Sequence, residues 1–153
     1  MAMRIGTELP SLDGASEWLN PAGSGTADSA PGQATLVHFW AVSCGICKEN
    51  LPRLAELRDR YQDRLRLMAV HMPRYPADMD LAAVRAAVEE HRISEPCAID
   101  NRHALRDAFQ NTQGWVPAYY LFDHEGKLKS FAAGERGLAM VSAAIERLLD
   151  GPR

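Results

Sequence analysis

The chain has 153 residues, 46% of them hydrophobic and 24% charged, with a formal net charge of −3, which suits one domain with a full core. The mildly acidic balance argues against nucleic acid or an anionic membrane as the main partner. No apolar stretch approaches the roughly 20 residues needed to cross a bilayer, so no membrane span is expected.

The first residues, Met1 to Glu8, contain no apolar signal core, which predicts a cytoplasmic protein; a chain trimmed of a leader would read the same and work in the periplasm or another extracytoplasmic space. Residues 1–33 read as a lead-in, with Leu9, Leu12, Trp18 and Leu19 available to dock on a sheet edge. Within it, Asn20 to Gln33 is rich in Gly, Ala, Ser and Pro with one charge, Asp28, and reads as a flexible loop.

Residues 34–150 read as the domain proper. Thr35–Trp40 is apolar on both faces, as in a covered central strand. Gly45–Tyr61 follows as a helix with a stripe at Cys47, Leu51, Leu54, Leu57 or Arg58, and Tyr61, and a proline inside it, Pro52. Leu65–His71 is a second strand, and Asp80 caps a helix striped by Leu81, Val84, Val88 and His91. Cys97–Ile99 is a short strand and Arg102–Phe109 a short helix. Ala118–Asp123 and Leu128–Ala132 flank a Gly-containing hairpin turn, and Leu138, Val141, Ile145 and Leu148 mark a closing helix. This order predicts an α/β fold: a mixed sheet with helices on both faces.

Cys44-Gly45-Ile46-Cys47 carries the chemistry. A thiol at a helix start feels the positive end of the backbone dipole and unpaired N–H groups, which favour its thiolate. A second thiol three residues on can close a disulfide. Half of a zinc site is the competing reading, but it needs two further ligands at sensible spacing and no second pair is present, so no metal and no cofactor are expected. Three cysteines are too few for a disulfide scaffold. Cys97 reads as a small core residue, while His71, His91, His103 and His124 read as surface or strand-end positions.

The run Val37-His38-Phe39-Trp40-Ala41-Val42-Ser43-Cys44-Gly45-Ile46-Cys47, with Pro52 beyond it, resembles the active-site segment of thioredoxin-fold proteins. Pro73 to Arg92 is similar to the insertion of the TlpA/ResA-like branch. Pro96 to Asn101, Trp115-Val116-Pro117-Ala118 and Phe122 to Lys127 are similar to motifs of thioredoxin-like domains in cytochrome c maturation proteins and beside beta-propeller repeats. The resemblance implies a thioredoxin-like fold with a TlpA-type insertion and an N-terminal extension, acting as a monomeric thiol–disulfide oxidoreductase on protein disulfides, with an unidentified reductase or thiol as electron donor.

It further implies that Cys44 attacks, from an exposed helix start, and that Cys47 resolves. Pro117 then matches a cis-proline bordering the cysteines, Val116 offers backbone groups to substrate, and Trp115 contributes to an apolar rim. His38 stands where relatives carry aspartate or asparagine. It is a candidate for moving the proton of the resolving thiol, or else a buried histidine satisfied elsewhere. Ser43 and Ile46 replace a common tryptophan and a common proline. Two other readings compete: a non-catalytic thioredoxin-like adaptor, and a thiol peroxidase, which calls for a Thr-x-x-Cys-Pro setting that Ala41 to Gly45 does not provide.

Overall fold

The computed structural model describes residues 3–20 and 33–150; most of the expected loop from Asn20 to Gln33 lies outside them. Among the described residues the strands are β1 (Glu17–Leu19), β2 (Ala34–Trp40), β3 (Leu65–His71), β4 (Cys97–Ile99), β5 (Ala118–Phe122) and β6 (Leu128–Ala133). The helices are α1 (Gly45–Arg60), α2 (Leu81–Glu90), α3 (Ala104–Ala108) and α4 (Gly137–Asp150), with a 3-10 turn at Pro76–Met79. The strands form one mixed sheet in the order β1-β4-β3-β2-β5-β6. This is the thioredoxin-like α/β architecture.

β2 is buried at every residue, because it lies between parallel β3 and antiparallel β5 and is covered on both faces. Its alternate side chains serve two cores. Leu36 and Trp40 pack with Cys47, Leu51, Leu54 and Leu57 of α1, Val84 and Val88 of α2, and Val141 and Ile145 of α4. Val37 and Phe39 pack on the opposite face with Leu105 and Phe109 of the α3 segment and with Met3 and Leu12 of the lead-in. Phe109 meets Phe39 and Tyr120 edge-on there and Phe39 is tilted against Tyr120, with centroids 5.1–5.5 Å apart.

The lead-in crosses this second face from one sheet edge to the other. Gly6 N–H donates to Leu128 C=O, Leu128 N–H to Thr7 C=O and Leu9 N–H to Gly126 C=O, at the start of β6. Farther on, β1 pairs antiparallel with β4, with Leu19 opposite Cys97. A strand at Glu17–Leu19 was not among the sequence expectations; its three residues become extended because β4 offers them a free edge. No helix among the described residues is long and apolar enough to cross a membrane.

Candidate active site

The C-terminal ends of β2 and β3 and the start of β5 converge at one end of the sheet. Phe39 pairs with Ala118, so Pro117 falls beside Trp40, and Trp40 pairs with His71. The chain leaving β2 turns through Ala41 to Ser43 and enters α1 at Cys44. Cys44 is the helix N-cap, with extended backbone (φ −95°, ψ 103°), and its Sγ accepts a hydrogen bond from the Cys47 backbone N–H at 3.1 Å. A sulfur thus occupies the place of the usual capping oxygen, where the helix presents free donors and positive potential.

Cys44 and Cys47 are joined as a disulfide with their Cα atoms 5.3 Å apart. Cys47 faces inward along the α1 stripe, as its spacing predicted. Cys44 is more enclosed than a helix start suggests, at 5% exposure, although its neighbours Ser43, Gly45 and Ile46 are exposed. The reason is local: as N-cap it turns its sulfur under the first turn rather than away from it. Cys97 is fully buried, and burial pushes its thiol up to about 12.

The Val116–Pro117 peptide is cis. Asn111, itself buried, holds the preceding residue at both ends: its Oδ1 accepts from Trp115 N–H at 2.9 Å and its Nδ2 donates to Trp115 C=O at 3.0 Å. Val116 is half-buried against both cores, and the Trp115 side chain is 49% exposed. Ile46 and Tyr75 are also exposed, so apolar groups flank the cysteine turn on the helix side and on the insertion.

His38 does not reach solvent. Its ring Nε2 lies 2.6 Å from Glu95 Oε2, and Arg58 Nη1 lies 3.6 Å from the other Glu95 oxygen. Burial alone would raise the Glu95 carboxyl. The hydrogen bond and charge of His38, its own backbone N–H and Arg58 outweigh that and hold it below its ordinary value. His38 lies on the β2 face shared by Leu36 and Trp40, against which Cys47 packs.

On the other side, the turn before Cys44 is tied to the insertion. Buried Asp78 accepts from Ser43 N–H (3.1 Å), Ser43 Oγ (2.8 Å), Arg74 N–H (2.9 Å) and Tyr75 N–H (3.3 Å). The Arg74 guanidinium donates to Ser43 Oγ at 3.0 and 3.2 Å. His71, at the end of β3 and fully buried, accepts from Val42 N–H through Nε2 at 3.1 Å and stands edge-on to Trp40. Burial lowers its pKa to about 4, so it is the neutral imidazole that holds this turn.

Sequence reasoning missed Glu95, Asp78, Asn111 and Arg74. His71 was expected at a strand end and is there, in the interior rather than at the surface. An acidic residue inside a Pro- and Tyr-rich turn, as at Asp78, was the one local signal available.

Comparison with known proteins places this arrangement. The chain is 43% identical over 148 residues to the thiol-disulfide oxidoreductase YkuV of Bacillus subtilis, covering 96% of this chain and 97% of that protein. It is 31% identical over 144 residues to protein DipZ of Mycobacterium tuberculosis, covering 92% of this chain but 20% of DipZ. A solved thioredoxin-like protein in its oxidised form superimposes with a TM-score of 0.83 at 39% identity, covering 99% of this chain and 100% of that one. With its residues 6–131 matching the family model, the chain belongs to the AhpC/TSA family.

Proposed function

We infer that this chain is a thiol–disulfide oxidoreductase that reduces or exchanges protein disulfides through Cys44 and Cys47. The observation that carries the reading is the disulfide at the α1 N-terminus, with Cys44 Sγ seated on the Cys47 backbone N–H. On reduction the same N–H and the helix dipole stabilise a Cys44 thiolate. The thiolate attacks one sulfur of a substrate disulfide, forming a mixed disulfide and expelling the other substrate sulfur as a thiolate. Cys47, once deprotonated, attacks Cys44 Sγ and expels the second substrate sulfur. Two electrons pass to the substrate and the Cys44–Cys47 disulfide is restored; an external thiol or reductase returns the enzyme to the dithiol.

Roles for the flanking residues follow from their placement. Val116, ahead of Pro117 at the strand end, offers its backbone to an extended substrate, with Trp115 forming one wall. The His38–Glu95 pair, under the face that Cys47 packs on, takes the Cys47 proton. The working unit is residues 34–150, with the lead-in as its strap. The direction of reduction belongs to a reducing compartment such as the cytoplasm.

The peroxidase reading lacks its residues, since Ala41 and Gly45 stand where Thr-x-x-Cys-Pro needs threonine and proline. The adaptor reading has no specific observation behind it. Insulin-disulfide reduction tests the assignment: wild type precipitates the insulin chains, and Cys44→Ser does not. Cys47→Ser accumulates a mixed disulfide, because attack proceeds without resolution. Equal turnover by wild type and Cys44→Ser overturns it.

A further inference from the structure

The chain is net acidic, yet beside the cysteine turn it opens a groove with positive walls. Arg74 and Tyr75 of the insertion form one side; Arg106 and His103 of the α3 segment form the other, with Gln113 and Gly114 leading toward the cis-proline segment. The two sides are held together at the base, where His103 Nε2 donates to Pro73 C=O at 3.0 Å. The end at Gly114 is open, the nearest atom to a Cβ there being Met72 Cε at 4.0 Å, and the φ of +67° is what calls for glycine.

The charges in this groove are not consumed by their neighbours. Among the described residues neither guanidinium has a carboxylate partner; Arg74 bonds to Ser43 Oγ and stands over the Tyr75 ring, while Arg106 bonds to the backbone carbonyls of Asn111 and Thr112. Two nearby buried acids are spent on backbone donors. Asp78 takes the N–H groups of Ser43, Arg74 and Tyr75, and Asp100 those of Leu105 and Arg106. The result is two fixed cations, one of them bonded to the residue before Cys44.

We propose that this groove selects disulfide substrates whose cysteine is flanked by acidic side chains, Arg74 and Arg106 receiving the carboxylates. The proposal rests on the oxidoreductase reading and on Val116 pairing with the substrate strand. A strand so placed lays its target cysteine over Cys44 and its flanking side chains over the arginine walls. Guanidinium groups fit carboxylates in plane and in pairs of hydrogen bonds, and the exposed Tyr75 ring, over which Arg74 stands, excludes water from one side of the contact.

The test uses the reduced full chain in single turnover with short disulfide-linked peptides that differ only in flanking residues: Glu, Gln or Lys. Each rate is divided by that of dithiothreitol on the same peptide, which removes intrinsic reactivity. At low salt the Glu peptide is expected to react about fivefold faster than the Gln peptide, as for one partly exposed ion pair, with the ratio falling in high salt. Arg74→Gln lowers that ratio toward one even if its contact with Ser43 alters every absolute rate. Arg74→Glu makes the Lys peptide the faster one, and Arg106→Gln supplies a second measure of the ratio. Equal normalised rates for Glu and Gln peptides with wild type, or an unchanged ratio in both Arg74 variants, overturn the proposal and leave the dithiol chemistry standing. Failure to reduce any peptide overturns the oxidoreductase reading, and this inference with it.

Discussion

Replacing Asp78 by Asn removes a charge from the junction between the insertion and the cysteine turn while keeping shape. Asp78 is 3% exposed and receives four hydrogen bonds. Asn has one acceptor oxygen. Directed at Ser43 Oγ, Arg74 N–H and Tyr75 N–H, it keeps three bonds without charge assistance and turns an NH2 group against the Ser43 N–H. A donor left unsatisfied costs ~1–3 kcal/mol, and the weakened bonds add some tenths each. A total loss of about 2–3 kcal/mol corresponds to a Tm lower by roughly 5–10 °C for a chain of this size.

The pH dependence sharpens the test. Burial acts to raise the Asp78 carboxyl, but the N–H of Arg74, the Ser43 side chain, the N–H of Tyr75 and His71 together hold it below its ordinary value of 3.8. A carboxyl lowered on folding contributes stability above its unfolded pKa and loses it as pH falls through the folded one. The gap between wild type and Asp78→Asn, measured by urea unfolding of the oxidised protein, should therefore be full near neutrality and close on acidification below about 3.8. Equal midpoints near neutrality, or a gap that persists in strong acid, would refute this account of the junction.

Three further outcomes are expected. Glu95→Gln leaves His38 an acceptor but withdraws the charge that faces it and Arg58, so the urea midpoint should fall by the equivalent of about 2 kcal/mol, and the pH profile of Cys47-dependent resolution should shift. His71, lowered to about 4 from 6.5, stays neutral in the fold while the unfolded chain takes up a proton; stability should decline by about 3 kcal/mol as pH drops from 6.5 to 4, and His71→Gln should flatten that slope in thermal melts. Phe109→Ala empties the ring cluster against Phe39, Tyr120 and Phe122 and should lower stability by ~3–5 kcal/mol in urea unfolding, with insulin reduction retained wherever the protein stays folded.

Much of the fold was legible because it is written locally. Leu65–His71 and Cys97–Ile99 stand as read, and β2 and α1 differ from the reading by one residue at an end, since alternation and the Leu51–Leu54–Leu57 stripe declare themselves within a few residues. Asp80 caps α2 through Ala82 N–H as its position suggested. The partners of the site were not legible. Glu95 is 57 residues from His38, and Asp78 is 35 from Ser43; no local pattern joins them until the sheet brings them together. Asn111 is only four residues from Trp115, but side-chain clamping of one peptide unit leaves no periodic mark. The helix read as Arg102–Phe109 is shorter, Ala104–Ala108, because the left-handed His103 (φ 59°) delays its start.

The lead-in has a bearing on how the molecule comes together. Its residues 6–9 bond at Gly126 and Leu128, and its β1 bonds to Cys97–Ile99. These partners lie far from it along the chain, so the lead-in is held only once the distant β4 and β6 are in place. Like a belt fastened on both sides, it occupies backbone groups of β4 and of the start of β6 that would otherwise stand open to stray pairing.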